Sequence, residues 1–264
     1  MEVCYRHPKR ETGVSCSNCG RPICPDCMTS TSVGMRCPEC ARQSTKVRTM
    51  RTLGGDPVLT YVLIAINVVA SLGSSFGGSV GNSGSLTDAG DLSRFSMASG
   101  DYWTLVTSGF LHVSLFHLLS NVLALWILGT MLEPILGRWR FGLVYFVALL
   151  CGSLGVLVYS ADPSVGASGA VFGLMGATLV VMRNRGVNPM ESGLGLWLGL
   201  NLIITFTIPH ISIGGHIGGL IGGALAGLVL VELGERRRLP RYVPELVCAA
   251  IGVAAIAVSI AQYG

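Results

Sequence analysis

Charged side chains are scarce in this sequence. Only 12% of its 264 residues are Asp, Glu, Lys or Arg, whereas half are hydrophobic. A soluble globular domain carries about 25% charged residues, so this class is excluded for most of the chain. The mean hydropathy of +0.61 and the 36 glycines are typical of a polytopic membrane protein with closely packed helices. The small net charge of +4 gives no reason to expect a nucleic-acid partner, and we expect none.

A long apolar run is also missing from the beginning of the sequence. Residues 1–50 are polar and basic and contain no apolar run of the kind found in signal peptides. We therefore expect the amino terminus to start and remain in the cytoplasm.

Cysteines are present but unevenly distributed. Seven of the nine fall within the first 40 residues, an odd number, and His7 lies among them. This argues against a pure disulfide framework and for metal ligation in a reducing compartment. Four ligand pairs, each separated by two residues, provide the eight ligands of two tetrahedral zinc sites. The pairs are Cys4 and His7, Cys16 and Cys19, Cys24 and Cys27, and Cys37 and Cys40.

These four pairs can combine consecutively or in an interleaved order. The interleaved order places Cys4, His7, Cys24 and Cys27 on one ion and Cys16, Cys19, Cys37 and Cys40 on the other, and it resembles cross-brace fingers of the B-box type. Because four protein ligands leave no open position for water, we expect two structural Zn²⁺ ions and no metal in catalysis. A redox Cys-x-x-Cys motif or an iron–sulfur site is the alternative.

Seven apolar runs follow, most of them close to the roughly 20 residues that a membrane-spanning helix needs. With the amino terminus inside, only Arg94 of the 18 Lys and Arg residues lies in a loop predicted outside. This asymmetry predicts seven spans and an extracytoplasmic carboxyl terminus. The runs cover about 58–76, 111–132, 141–160, 168–182, 192–209, 216–231 and 243–262.

A serine opens the short fourth run, in Gly166-Ala167-Ser168-Gly169. Ser168, His216 and His117 lie 15 or 16 residues from the charged residue at the inner end of their runs. At about 1.5 Å per residue, all three reach roughly the same depth below the outer surface. Polar groups at one depth on three helices indicate one site. The alternative for Ser168 is a small residue at a helix contact.

The residue types at this depth indicate nucleophilic catalysis. A serine needs a neighbouring base, and His216 lies on a glycine-lined run that allows close helix approach. Because no carboxylate lies at the same depth, we predict a Ser168–His216 dyad. His117, Asn121 one turn later, and backbone N–H groups at the start of the fourth run can stabilise an oxyanion. His210, Cys151 and Cys248 are interpreted as loop, interface or packing residues.

Three motifs together resemble the rhomboid family of intramembrane serine proteases over roughly 57–232. They are Leu111-His112-x4-His117-x3-Asn121, Gly166-Ala167-Ser168-Gly169 and Gly215-His216-x2-Gly219. The resemblance implies that Ser168 is the nucleophile and His216 the general base. It further implies an oxyanion hole formed by His117, Asn121 and the Ala167 and Ser168 amides, with His112 as an outer histidine and Gly166 and Glu133 at structural positions. The Trp-Arg pair usual in the first outer loop is Trp103-Thr104 here, which leaves the contribution of that arginine open.

The predicted fold class is therefore an all-α polytopic membrane protein. It comprises a zinc-binding domain (1–41), a basic linker that could contact anionic lipid or be merely solvated (42–56), a six-span rhomboid-like core (57–232), and a basic loop with a seventh helix (233–264). We expect a cell-membrane endopeptidase that cleaves transmembrane protein substrates near the outer face. The zinc domain is also compatible with a cytoplasmic protein partner. The alternatives are a catalytically silent rhomboid-like chaperone for membrane helices, or a transporter, although no inverted repeat supports the latter.

Overall fold

The computed structural model describes residues 2–42, 55–76, 89–160, 162–208, 211–237, 239–240 and 242–264. Most of the predicted linker, residues 77–88 of the first outer loop, and His210 lie outside these ranges. The chain divides into two compact units, residues 1–50 and 51–264. The boundaries predicted for the four segments stay predictions.

Two β-hairpins and a short helix form the amino-terminal unit. Strand β1 (Glu2–Cys4) pairs antiparallel with β2 (His7–Thr12), and β3 (Thr29–Thr31) with β4 (Gly34–Arg36), before helix α1 (Pro38–Arg42). Its buried cluster consists of six cysteines and a single aliphatic side chain, Ile23, among the described residues. A hydrophobic core this small cannot stabilise a unit of about 40 residues without another source of folding energy.

Helices form at all seven predicted apolar runs of the second unit. Four of them are long and apolar enough to cross a membrane: Leu115–Leu136, Arg138–Tyr159, Ile213–Arg236 and Tyr242–Tyr263. The other three are shorter, and their crossing of the membrane stays a prediction. The helices are α2 (Val58–Phe76), α3 (Arg94–Ala98), α4 (Thr104–Thr107), α5 (Leu115–Leu136), α6 (Arg138–Tyr159), α7 (Ser168–Asn184), α8 (Leu194–Thr207), α9 (Ile213–Val229), which continues as a π-helix over Leu230–Arg236, and α10 (Tyr242–Tyr263).

Helix α9 packs most extensively on α6 and α7. Glycines make this close approach possible. A Cβ atom at Gly219 of α9 would lie 2.0 Å from the carbonyl oxygen of Gly169 in α7, and a Cβ at Gly214 would lie 2.1 Å from the carbonyl oxygen of Gly155 in α6. The backbones of α9, α7 and α6 are therefore in direct contact. Helix α8 contacts α7 and α9 only sparsely.

Glu133 joins two helices near their predicted cytoplasmic ends. It is 2% exposed, and its carboxylate accepts hydrogen bonds from the Leu59 and Thr60 backbone N–H groups and from the Thr60 hydroxyl, at 2.7–2.9 Å. These N–H groups belong to the first turn of α2, which has no intrahelical acceptors for them. The contacts agree with the structural position that the rhomboid resemblance implied for Glu133.

Candidate active site and metal clusters

The irregular segment before α7 is held by hydrogen bonds to the segment between α2 and α5. The Leu92 N–H donates to the Ser164 carbonyl at 3.0 Å, the Ser164 N–H donates back to the Leu92 carbonyl at 2.9 Å, and the Gly166 N–H donates to the Ser108 carbonyl at 2.8 Å. Non-helical backbone at membrane depth is tolerated only where its N–H and C=O groups have hydrogen-bond partners. These bonds fix the position of the chain just before Ser168.

Gly166 brings this segment against a histidine of another helix. Its φ of +133° belongs to a region that L side chains rarely adopt. A Cβ atom placed there would lie 2.8 Å from Nε2 of His117 and 3.7 Å from Oγ of Ser168. His117 and Ser168 therefore border the same small space.

The starts of α7 and α9 are in contact beside the two predicted dyad residues. A Cβ atom at Gly169 would lie 3.2 Å from the carbonyl oxygen of Gly215. Gly169 follows Ser168, and Gly215 precedes His216, so the glycine contact brings both residues to one helix crossing. Among the described residues no hydrogen bond joins Ser168 Oγ to the His216 ring.

His216 is held by contacts on two sides of its ring. It is 8% exposed and stacks on Phe172, with ring centroids 4.1 Å apart and planes inclined by 16°. Phe172 lies one turn after Ser168 on the same face of α7. On the other side of the ring, Nδ1 of His216 lies 2.7 Å from the hydroxyl of Thr205 in α8. The ring is thereby fixed in plane and direction.

The motif that begins at Leu111 brings two histidines together. The His112 and His117 rings meet edge to face with centroids 4.8 Å apart, and the Ser71 hydroxyl of α2 lies 2.9 Å from Nδ1 of His112. Nδ1 of His117 is buried and has no hydrogen-bond partner among the described residues. Asn121 is buried, and its Nδ2 donates to the His117 carbonyl at 2.9 Å.

A small cavity lies beside the serine. Its volume is about 30 Å³, and its lining includes Ser108, Gly166, Ser168 and Ser212. This volume is enough for a water molecule, which needs at least about 10–15 Å³ and several polar partners.

The residue that replaces the usual arginine takes part in the outer loop. Thr104 is 1% exposed, and its hydroxyl donates to the Asp101 carbonyl at 2.7 Å. Arg94 of the same loop donates through Nε to the Leu157 carbonyl at 2.8 Å and lies over the Tyr263 ring at 5.3 Å. The segment between α2 and α5 is thus tied to the ends of α6 and α10 through a different arginine, Arg94.

The eight predicted metal ligands form two groups of four in the amino-terminal unit. They follow the interleaved order, Cys4, His7, Cys24 and Cys27 in one group and Cys16, Cys19, Cys37 and Cys40 in the other, with the ligand atoms of each group within 4.8 Å of one another. Nδ1 of His7 lies 3.3 Å from Cys24 Sγ and 3.4 Å from Cys27 Sγ, and Cys19 Sγ lies 3.9 Å from Cys37 Sγ. Zn–S and Zn–N bonds of about 2.3 and 2.0 Å in a tetrahedron require spacings of about 3.5–3.8 Å, so the donor sets fit zinc.

The two clusters also have supporting contacts. The Cys37 N–H donates to Cys16 Sγ at 3.3 Å, and Asn18 donates to Cys40 Sγ at 3.3 Å. Tyr5, next to Cys4, donates a hydrogen bond to Glu39, next to Cys40, and this bond lowers the pKa of the Glu39 carboxyl. Hydrogen bonds of this kind orient metal ligands.

A family model described as the Rhomboid domain matches residues 99–233, which include all four predicted catalytic residues. The chain belongs to the rhomboid family. It is a multi-pass membrane protein, as that family and its apolar helices require.

Individual rhomboid relatives cover varying parts of the chain. It is 36% identical to the rhomboid protease GluP of Bacillus subtilis over 166 residues, which are 62% of this chain and 33% of GluP. It is 35% identical to the B. subtilis rhomboid protein YdcA over 54% of this chain and 75% of YdcA. It is 33% identical to RHOMBOID-like protein 5 of Arabidopsis thaliana over 60% of this chain and 54% of that protein. The chain thus spans a third of the length of GluP and about half that of the plant protein.

Two residues of this rhomboid site were missed by sequence reasoning. Thr205 and Phe172 contact the His216 ring, but neither belongs to a motif quoted above. Phe172 could have been found, because it lies one helical turn after Ser168. Thr205 had no sequence signal, because its contact depends on how α8 packs against α9.

Proposed function

We propose that this rhomboid protein is an intramembrane serine endopeptidase with Ser168 as nucleophile and His216 as general base. The observation that carries the proposal is the contact between α7 and α9 at Gly169 and Gly215, immediately beside the two residues. Backbones this close allow a serine hydroxyl and an imidazole to exchange a proton. Membership of a family whose relatives include a named rhomboid protease supports the same activity.

In the proposed reaction, Nε2 of His216 takes the proton of Ser168 as Oγ attacks the scissile carbonyl. His216 then gives this proton to the leaving amine, which leaves an acyl-enzyme. A water molecule then gives a proton to His216 as it attacks the acyl carbon of the ester. His216 passes this proton to Oγ of Ser168 as the ester bond breaks. The cavity beside Ser168 is large enough to hold that water.

The oxyanion of the tetrahedral intermediate needs preorganised donors. The Asn121 amide carries two protons and gives one to the His117 carbonyl, so its second proton is left for the oxyanion. A buried Nδ1 without a hydrogen-bond donor or acceptor among the described residues favours the His117 tautomer with the proton on Nε2. That proton would face Gly166 and Ser168. The Ala167 and Ser168 backbone N–H groups at the start of α7 complete the proposed set.

We expect transmembrane proteins as substrates, cleaved near the outer face of the membrane. A substrate helix must unwind before its amide reaches Ser168, which favours small, helix-weakening residues near the cut. The proposed topology places the amino terminus in the cytoplasm and the carboxyl terminus outside, in agreement with the distribution of Lys and Arg. Two zinc ions would stabilise the amino-terminal unit and take no part in the chemistry.

A fluorophosphonate probe and a model transmembrane substrate test this proposal. The purified protein should be labelled and should cleave the substrate. Ser168→Ala should lose both activities, and His216→Ala should lower the rate by at least about 1000-fold, because the serine then has no base. Ser160→Ala is the matched control, since the Ser160 hydroxyl hydrogen-bonds locally, to Asp162, and its loss should leave both activities unchanged.

The same experiment separates the proposal from its rival. A folded protein that is neither labelled nor active, yet binds transmembrane peptides, would be a silent rhomboid-like binding protein. Cleavage by His216→Ala at the wild-type rate would refute the dyad.

A further inference from the structure

Helix α8 carries one buried hydroxyl that contacts the predicted base. Thr205 is 1% exposed, whereas Phe206 and Thr207 beside it are exposed. Its Oγ1 lies 2.7 Å from Nδ1 of His216 and also 2.7 Å from the Asn201 carbonyl oxygen one turn earlier. Each of these separations is that of a hydrogen bond, so each needs a proton between the two atoms.

The protons can be assigned because a hydroxyl has only one. The Asn201 carbonyl has no proton to give, so the Thr205 proton must lie between these two oxygens. The Thr205 oxygen then accepts, and the proton in the second bond belongs to Nδ1 of His216. A neutral imidazole with its proton on Nδ1 carries a bare lone pair on Nε2.

From this geometry we propose that Thr205 is a positioning residue that holds His216 in the tautomer with the proton on Nδ1 and leaves Nε2 to accept the proton of Ser168. The inference rests on the proposed function of Ser168 and His216. Thr205 supplies the orientation that a carboxylate gives the histidine in a Ser-His-Asp triad. Stacking on Phe172 fixes the ring plane, and the Thr205 hydrogen bond fixes which nitrogen faces α7.

A purely structural role would be served by the bond to Asn201 alone. Thr207 provides the comparison, because its hydroxyl makes the equivalent bond to the Ile203 carbonyl at 2.7 Å and has no imidazole partner among the described residues. The contact with His216 is what distinguishes the two threonines. Thr207→Val is therefore the matched control for Thr205→Val.

The test compares Thr205→Val, Thr205→Ser and Thr207→Val in the full-length protein. The ¹⁵N chemical shifts of labelled histidine, measured where the ring is neutral, report its tautomer, and His216→Ala identifies the signal. In the wild type and in Thr207→Val, Nδ1 should carry the proton. In Thr205→Val the proton should move partly to Nε2, with kcat about 10-fold lower, as expected for one lost hydrogen bond, and KM unchanged. Thr205→Ser retains the hydroxyl. It should therefore keep the proton on Nδ1 and have a kcat within about 2-fold of the wild-type value.

Three results would overturn the inference. A wild-type His216 with its proton on Nε2 would do so without any variant, and therefore even if Thr205→Val fails to fold. Wild-type kcat and tautomer in Thr205→Val would show that the hydroxyl is not needed. Failure of a folded Thr205→Ser to recover would assign the effect to packing of the methyl group. Failure of the proposed function is recognised separately, because the wild type would then show neither labelling nor cleavage, or Ser168→Ala would retain them, whatever the His216 tautomer.

Discussion

Gly166 shows at the scale of one residue how the site is assembled. Its backbone has a φ of +133°, and the space where its side chain would lie is next to the His117 ring and Ser168 Oγ. Any other residue would face both an unfavourable backbone conformation and an occupied space. The glycine before the serine is therefore required for His117 to approach.

We predict that Gly166→Ala displaces His117 and strongly lowers activity. The new Cβ would lie 2.7 Å from the ring carbon Cε1, so the ring must move by about 1 Å. A displacement of this size costs about 100-fold in rate when the displaced group stabilises the transition state. The kcat for a model transmembrane substrate measures the effect.

The control for this variant is Gly186→Ala, just after α7. Gly186 also has a positive φ, +72°, but in the part of the chain that the structure describes nothing approaches within 4 Å of the point that an alanine Cβ would occupy. Both variants strain the backbone, by roughly 1–3 kcal/mol, but only one disturbs His117. If Gly186→Ala lost as much activity as Gly166→Ala, the role assigned to the His117 contact would be wrong.

At the scale of elements, glycine contacts decide the distance between the helices that carry Ser168 and His216. Gly219 and Gly223 of α9 meet the backbone of Gly169 and Gly173 of α7, and in both cases an added Cβ would lie 2.0 Å from a carbonyl oxygen. Backbone cannot move aside as the end of a flexible side chain can. The separation of Ser168 and His216 therefore depends on these glycines.

We predict that Gly219→Ala separates α7 from α9 and reduces both stability and activity. Overpacking of this kind costs about 1–3 kcal/mol of unfolding free energy, and the dyad residues would move apart with their helices. Thermal unfolding in detergent and the rate of fluorophosphonate labelling measure the two effects. Loss of stability with an unchanged labelling rate would contradict the proposed link between this contact and the dyad.

Gly199→Ala in α8 is the corresponding control. An alanine Cβ at this position would have no atom of the described residues within 4 Å. Alanine favours a helix over glycine by about 0.5–1 kcal/mol, so this variant should be as stable as the wild type or slightly more so.

The first residue of a helix differs from the first residue of the predicted apolar run where a capping side chain starts the helix. The run predicted at 111–132 becomes a helix over Leu115–Leu136, because the Ser114 side chain accepts a hydrogen bond from the His117 N–H and starts the helix there. Ser212 starts α9 in the same way through the Gly215 N–H. Hydropathy locates a helix, but a capping side chain sets its first residue.

At the scale of the whole molecule, the chain joins a membrane-embedded unit to a small unit whose buried cluster is mostly cysteine. For the small unit, binding free energy of a metal would serve as folding free energy. Zinc content is therefore a property that can be tested independently of proteolysis.

We predict two zinc ions per chain, measured by elemental analysis of the purified protein. Replacing Cys16 by Ser should reduce the content to about one, because the other group of four ligands is intact. Chelation should unfold residues 1–42, which limited proteolysis can detect. A content near zero or one in the wild type would overturn the scheme of eight ligands.

Cys151→Ser and Cys248→Ser are controls for the zinc measurement. Cys248 donates to the Ala226 carbonyl between α10 and α9, and Cys151 packs near Gly222. Neither belongs to a metal-ligating group, so both variants should retain the full zinc content.

Local patterns in the sequence were sufficient for much of this protein. The apolar runs located seven helices. Charged residues are costly in lipid, so a membrane span is recognisable as a continuous apolar stretch of sequence. The two-residue spacing of Cys and His identified the eight candidate metal ligands, because one loop must present both members of a pair. The motifs around His117, Ser168 and His216 identified the family for a similar reason, since each is confined to one helix start or one helix face.

Only the tertiary structure decided contacts between distant segments. It selected the interleaved order of the metal ligands, matched Gly169 with Gly215 and Gly219, and brought Thr205 to His216. None of these follows from local spacing, because each depends on the register and rotation of one element against another. The sequence by itself determined which residues are available for chemistry, and helix packing decided which atoms meet.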